Sequence, residues 1–384
     1  MPVARGTERE LADAVAAYVA TLAPSIAAAE REGRLPPDAI RGLGRLGVLG
    51  MTVPEADGGI GASAVAFALV LEELSAVWPS LAVAVSVNSG IVAGSIVRLA
   101  TAAQRARWLP RLMDGEGLAS FCLTEPSSGS DAASLRATAV RDSDGWRISG
   151  EKLFVTNARY APFALVLARV GEADPARPHA GITAFVVPMT SNGIRVGRSE
   201  AKHGLLASDT SAIVFDGVRV GRDDLLGEEG RGFGAVALAG LDSGRIGIAA
   251  QAVGIARGAI ALATAYAKER RQFGRPIAEF QSLRFALARA AVDTDAARLL
   301  ALRAAWSKDN GLPFGRLAAQ AKLFASEAAN RATHTALQVL GGYGYLCDFG
   351  AERLARDARA TTIYEGTSEI QRLVIARSLL AEAA

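Results

Sequence analysis

Residues 137–148 read Ala137-Thr138-Ala139-Val140-Arg141-Asp142-Ser143-Asp144-Gly145-Trp146-Arg147-Ile148. Ala137 and Ala139, then Trp146 and Ile148, sit at period two on either side of Asp142-Ser143-Asp144-Gly145. Alternation interrupted by a short polar, Gly-containing turn is the pattern of a β-hairpin. Three further β-rich runs follow between Gly and Pro breaks: Phe163 to Val170, Ile182 to Val187 and Ala212 to Phe215. Residues 119–230 are therefore predicted to form a small antiparallel β-barrel or sandwich.

Outward from this block the period changes to that of helices. Towards the N-terminus, Glu8 to Arg31 is Ala-rich with helical spacing, and Pro36-Pro37 opens a helix through Leu43, Leu46 and Val48. Pro54 to Gly61 reads as a loop. Ser63 then starts a helix carrying Phe67, Val70, Leu71 and Leu74, which Pro79 separates from the next. Towards the C-terminus, long helical patterns break only at Gly274-Arg275-Pro276, Gly311-Leu312-Pro313, Gly341-Gly342 and Glu365-Gly366. Long helices with short connections predict a four-helix bundle. The chain is thus read as three domains: a helical one over 1–118, a β-domain over 119–230 and a helical bundle over 231–384.

Composition narrows the function. The 384 residues are 50% hydrophobic, more than one compact core usually needs. The formal net charge is +3, without a Lys/Arg run or a basic stripe interleaved with aromatics, so no nucleic-acid partner is expected. Two cysteines, Cys122 and Cys347, exclude a disulfide framework, and three scattered histidines predict no metal site. Ser86, Asn88, Ser89, Ser95 and Arg98 interrupt the apolar stretch Leu81 to Leu99, which reads as a buried helix rather than a membrane span. The first residues, MPVARGTERELADAV, lack the apolar run of a secretory signal. A soluble cytoplasmic protein is expected.

Several segments have the chemistry of a site. Cys122-Leu123-Thr124-Glu125-Pro126-Ser127-Ser128-Gly129-Ser130-Asp131 places hydroxyls and small residues in a turn after a strand, where backbone N–H groups can approach a flat polar ligand. The same composition suits an ordinary Ser/Gly loop. Arg270, followed by Arg271, reads on its own as a solvated arginine in a charged run, with anion binding as the alternative. Gly341-Gly342 alone is a helix stop. Glu365 precedes Gly366, so the backbone can turn and present its carboxylate. It is also readable as a surface glutamate at a helix start capped by Thr367.

Taken together and in order, these segments resemble the acyl-CoA dehydrogenase family. Cys122 to Asp131 with Ser134 fits its first signature. Glu151-Lys152-Leu153-Phe154-Val155-Thr156-Asn157 is similar to its strand beside the flavin, and Glu269-Arg270-Arg271-Gln272-Phe273-Gly274 to its Arg-x-x-Phe-Gly motif. Gln338 to Tyr345, with Asp348, Arg353 and Asp357, fits the second signature, and Ile363 to Gln371 the catalytic segment. The resemblance implies an FAD cofactor and the following roles. Leu123, Thr124 and Thr156 would meet the isoalloxazine edge and Phe154 its face. Ser130 would lie between flavin and thioester. Arg270 and Phe273, with Gln281 nearby, and Gln338 and Gly342 would reach the FAD of a neighbouring subunit. Thr367 and Glu369 would contact the bound FAD. Asp242, Arg245 and Gly366 would line the substrate. A homo-oligomer, a tetramer built from dimers, follows from the shared cofactor.

The implied reaction removes a weakly acidic α-proton while a hydride leaves the β-carbon. A carboxylate whose pKa is raised in a water-poor pocket suits the first task, and Glu365 is the implied base. Some family members place the base just before an arginine on an earlier helix. Here that stretch is Leu241-Asp242-Ser243-Gly244-Arg245, and Gly244 cannot serve. One departure stands out: in Lys202-His203-Gly204-Leu205-Leu206-Ala207-Ser208-Asp209-Thr210, Leu206 replaces the family's usual arginine. The expected activity is dehydrogenation of an acyl thioester to the trans-2-enoyl product. Ser86 to Ser89 and Lys308 to Ala328 look most like short-chain members, and short or branched chains are expected. The expected oxidant is an electron-transfer flavoprotein. The alternatives are a relative that uses oxygen, one acting on an acyl or aminoacyl carrier protein, and a non-catalytic binding scaffold.

Overall fold

The computed structural model describes residues 6–381; the remaining terminal residues of the first and third predicted domains lie outside it. The chain opens with α1 (Gly6–Glu32), α2 (Pro37–Arg45), α3 (Ala64–Val77), α4 (Pro79–Val85), α5 (Ala93–Leu99) and α6 (Ala102–Met113). Local chemistry sets their starts. Pro37 and Pro79 occupy first-turn positions, where a missing N–H costs nothing. The Ser63 hydroxyl accepts from Ala66 N–H at the head of α3, and Thr101 with Gln104 forms a reciprocal capping box on α6. A π-helical turn, Ser86–Val92, joins α4 to α5. Its polar residues are buried and bonded: Asn88 Oδ1 accepts from Ala119 N–H at 2.9 Å, and Ser89 Oγ donates to Leu49 O at 2.9 Å. The interruptions in that apolar stretch are thus ties to neighbouring segments.

The β-domain comprises β1 (Ser120–Cys122), β2 (Thr138–Asp142), β3 (Gly145–Thr156), β4 (Phe163–Arg169), β5 (Ile182–Pro188), β6 (Ile194–Ser199) and β7 (Thr210–Gly221). Among the described residues they form one sheet in the order β1-β4-β2-β3-β7-β6, with β5 also paired to β4. Pairing is antiparallel except between β4 and its partners β1 and β2, which run parallel to it. The hairpin read from residues 137–148 is β2–β3, with Ala139 opposite Ile148 and Asp142 opposite Gly145. Its inward set, Ala137, Ala139, Trp146 and Ile148, joins Val166, Phe185, Ile213 and Phe215 in one core. The other face of β4 and β5, through Leu165, Leu167 and Val186, packs on Ile96, Trp108 and Leu112 of the N-terminal helices.

A π-helical turn, Phe233–Leu238, leads into α7 (Ala239–Glu269). The two-residue strands β8 (Arg271–Gln272) and β9 (Arg275–Pro276) make a hairpin, followed by α8 (Gln281–Asp309), α9 (Gly315–Leu340), α10 (Ala351–Ala360) and α11 (Ser368–Ala381). The N- and C-terminal helices share one continuous core, in which Leu71 and Leu74 of α3 join Ile246 and Val253 of α7. A buried carboxylate links them as well: Glu72 of α3 accepts from Arg257 of α7 and Arg298 of α8. Among the described residues, three helical stretches are long and apolar enough to cross a membrane by length and composition. Pro79–Leu99 and Phe233–Glu269 are mostly buried within the protein, whereas Gly6–Glu32 is mostly exposed.

Candidate active site

Glu365 lies in the turn between α10 and α11 with φ +52°, and Gly366 follows with φ +91°. A left-handed conformation costs a side-chain-bearing residue on the order of 1–2 kcal/mol, so surrounding contacts must hold it. They come from three helices. Tyr364 donates its hydroxyl hydrogen bond to Gln251 of α7. Lys322 of α9 donates to Gly366 O at 2.7 Å. Gln371 of α11 donates to Gly366 O at 2.8 Å and Glu365 O at 3.3 Å. Gln251, Lys322 and Gln371 are all fully buried. Gly366 must itself be glycine: besides its φ, an added Cβ would stand 2.7 Å from Gln371 Nε2.

The carboxylate points at α7. Although Glu365 as a residue is half-buried, its Oε2 is shielded from solvent and has no hydrogen-bond partner among the described residues. It occupies the space left by Gly244, where an added Cβ would stand 2.0 Å from Oε2. Burial pushes the Glu365 carboxyl up to about 7, against the pull of Lys322 and Arg245, which favour the charged form. Burial also drives the Lys322 ammonium down to about 8, opposed chiefly by Glu365. Arg245 is buried and pairs with Asp242 at 2.5 Å, and its Nε has no partner among the described residues. A shielded acceptor with its pKa near neutrality, flanked by cations, can take a proton from carbon and hold it.

The β-domain contributes a second surface. Glu125 and Lys152 form a buried ion pair at 2.7 Å. Glu125 also accepts from Arg136 and Ala137 N–H, and Lys152 donates to Leu123 O at 3.1 Å. This bracing fixes the loop that carries Leu123, Thr124 and Ser130. Leu153 N–H donates to Thr124 O at 2.9 Å, joining the loop to β3. The register of β3 against β7 shifts between Lys152 and Val155, and Phe154 takes φ +55° within that bulge. Its ring is consequently 64% exposed. Thr124 and Thr156 are half-buried, Leu123 is buried and Ser130 is exposed. An uncovered aromatic face on the strand joined to a hydroxyl-bearing loop fits the flat, polar-edged ring of a flavin.

A third group sits at the far end of the bundle. Arg270 ends α7 and lies 5.6 Å over the Tyr343 ring, next to Gly341-Gly342 at the end of α9. Phe273, at the tip of the β8–β9 hairpin with φ +51°, is 92% exposed. Gln281 is the first residue of α8, and Gln338 lies in the last turn of α9. Lys322, which touches the Glu365 turn, is sixteen residues before Gln338, or about 24 Å along the helix axis. The structure therefore brings Glu365, Gly366, Asp242 and Arg245 together, and keeps Arg270, Phe273, Gln338 and Gly342 apart from them within one chain. Thr367 Oγ1 accepts from Ile370 N–H at 3.4 Å, so it does cap α11, while Glu369 is exposed in the first turn of that helix.

Sequence reasoning missed the supports: Lys152, Gln251, Lys322 and Gln371. One of them had a legible signal. Lys322 is in phase with the buried Ala318, Ala325 and Ala329, so a lysine stood on the core face of its helix.

The fold is a helical domain, a β-domain and a helical bundle, and the bundle carries a shielded, cation-flanked carboxylate, an arrangement that suits a proton-abstracting flavoprotein. The N-terminal, middle and C-terminal domain models of acyl-CoA dehydrogenase match residues 6–116, 120–218 and 230–380. The chain is 44% identical over 359 residues to the mitochondrial short-chain specific acyl-CoA dehydrogenase of Bos taurus, covering 94% of this chain and 86% of that protein. Butyryl-CoA dehydrogenase from Megasphaera elsdenii superposes with a TM-score of 0.95 at 37% identity, over 98% of this chain and 99% of that one. A chain solved in work on the electron transferring flavoprotein of Acidaminococcus fermentans superposes with a TM-score of 0.95 at 38% identity, over 98% of this chain and 99% of that one. The protein belongs to the acyl-CoA dehydrogenase family. It is an FAD-dependent oxidoreductase acting on the CH–CH bond of an acyl-CoA. These similarities do not favour the oxygen-using, carrier-protein or scaffold readings.

Proposed function

We propose that this enzyme dehydrogenates short-chain acyl-CoA thioesters, with Glu365 as the base that removes the α-proton. The observation that carries the assignment is the shielded, unpartnered Oε2 seated against Gly244. The short-chain reading rests on the kinship with the bovine and Megasphaera enzymes. When bound, FAD supplies the acceptor for the hydride leaving the β-carbon. Leu123, Thr124, Ser130, Phe154 and Thr156 would hold the ring, and Thr367 and Glu369 would contact it from the Glu365 turn. Glu365 takes the α-proton, Arg245 and Lys322 favour its charged form, and Asp242 holds Arg245. Gly366 and Ser130 would line the thioester. Leu206 need not shift the substrate away from CoA. Its loop is held without an arginine, by Asp357 accepting from Leu205 N–H at 2.6 Å and Glu30 accepting from Ala207 N–H at 3.1 Å.

The active form is a homotetramer in which Arg270, Phe273, Gln281, Gln338 and Gly342 reach a neighbour's FAD. Two features support it. Phe273 is an almost fully exposed phenyl ring, and on α8 the exposed Phe285, Val292, Leu299 and Trp306 recur every seven residues. Such a stripe suits packing against another helix. An electron-transfer flavoprotein in the cytoplasm is the proposed oxidant, in keeping with the Acidaminococcus match. The test is anaerobic bleaching of the flavin by acyl-CoAs of increasing length. The reading expects fastest bleaching with the shortest chains, and a preference for long chains overturns it.

A further inference from the structure

The turn that presents Glu365 is held by the buried side chains of Gln251, Lys322 and Gln371, and Lys322 is the unusual one. A lysine is almost never fully buried unless paired. Here it lies on the core face of an alanine-rich helix, and the hydrogen bond it makes among the described residues is to a backbone carbonyl, Gly366 O. Gln371 of α11, also fully buried, donates to the same oxygen and reaches Glu365 O as well. Two donors on one carbonyl at 2.7 and 2.8 Å orient the Gly366–Thr367 peptide, and the Gln371 bond to Glu365 O at 3.3 Å orients the Glu365–Gly366 peptide before it. Without those two peptide orientations the left-handed backbone of Glu365 and Gly366 would relax, and the carboxylate would leave the Gly244 space. The charges around the turn are few: Lys322 faces Glu365, Arg245 and the exposed Glu369, and Arg245 is engaged by Asp242.

We propose that Lys322 and Gln371 are positioning residues for the base, a two-armed clamp on the Gly366 carbonyl that aims the Glu365 carboxylate. Lys322 has a second function that Gln371 lacks. Its ammonium is the first cation favouring the ionised form of Glu365, ahead of Arg245. The clamp rests on the reading of Glu365 as the base.

The test compares Lys322→Met, Gln371→Leu and Glu365→Gln in the FAD-loaded protein. Both clamp variants remove a donor, and only Lys322→Met removes a charge. The expected result for each is a loss of limiting anaerobic flavin-reduction rate on the order of ten- to a hundredfold, the scale that small misplacements of a reacting group produce. Thioester affinity should change little. In Lys322→Met the pH midpoint should also move upward, whereas in Gln371→Leu it should stay. The midpoint is read independently of turnover from the protonated-carboxyl infrared band that Glu365→Gln deletes. If Lys322→Met does not retain FAD, Gln371→Leu alone decides the clamp. Clamp variants that reduce flavin within twofold of the parent, with Glu365→Gln inactive, overturn the clamp and leave the base assignment standing. A fully active Glu365→Gln overturns the base assignment instead.

Discussion

The Glu365 turn and the β8–β9 hairpin are both left-handed excursions at helix ends, each with a non-glycine residue at φ near +50°. They are built in opposite ways. The Glu365 turn is gripped by Gln251, Lys322 and Gln371 from three helices of its own chain, and its carboxylate fills a space made by Gly244. At the hairpin, Phe273 projects 92% exposed, its ring centroid 6.0 Å from that of Phe280 in an edge-on arrangement. Burying a phenyl ring is worth roughly 1.5–3 kcal/mol. In the proposed tetramer a neighbouring subunit covers that ring. On that reading the proposed base is completed within one subunit, whereas the hairpin is completed by another.

The sharpest way to break this contrast is at the base. Glu365→Gln should retain FAD and lower substrate-driven flavin bleaching about 10²–10⁴-fold, the usual range for a general base. Near-parental bleaching would remove the sealed half of the comparison.

Next comes the space that the base fills. Gly244→Ala should cost on the order of a hundredfold, because the new methyl displaces Oε2 and small misplacements are costly. Gly244→Glu combined with Glu365→Gly should recover part of the activity lost in Glu365→Gly alone. The carboxylate is re-supplied from α7 into the same space, and glycine is at ease at φ +52°. Single-turnover flavin reduction, with FAD content checked first, decides this. A double mutant no faster than Glu365→Gly would show that the two positions are not interchangeable here.

The third prediction concerns pH. Glu365 accepts a proton only when ionised, and its pKa lies near 7. Flavin reduction by saturating thioester should therefore be flat above that pH and fall about tenfold per unit below it. A profile flat down to pH 5 would contradict the raised pKa.

The smallest effect is expected at the hairpin. Phe273→Ser should leave the far-UV spectrum and the Glu365 titration unchanged, while FAD affinity falls about tenfold, equivalent to some 1.4 kcal/mol. The oligomer measured by light scattering should also become more dissociable. A monomeric parent that carries full FAD would dissolve the comparison, since the hairpin would then need no partner.

The hairpin at residues 137–148 was legible because period-two alternation around a polar turn needs only neighbouring residues, and Ala137, Ala139, Trp146 and Ile148 do face one core. The helices were legible for the same local reason, down to Ser63 as a cap. The interruptions at Asn88 and Ser89 gave the reading of this stretch as a buried helix, and it is mostly buried within the protein. They did not show that these residues tie it to Ala119 and Leu49, because those partners lie 31 and 40 residues away.

For the site, order and motif carried the sequence reading: Glu365 before Gly366, Arg245 after Gly244, and hydroxyls after β1 are short-range facts of the chain. Spacing alone could not tell that Gly244 and Glu365, 121 positions apart in the numbering, occupy one another's space. Nor could it tell that Lys322 ends at a carbonyl 44 residues away. Backbone propensity and hydrophobic period act over a few residues, so the sequence by itself determined the elements and nominated the base. The height of its pKa, the room for its carboxylate and the hold on its turn depend on desolvation and contact between distant helices, and only the tertiary structure decided them.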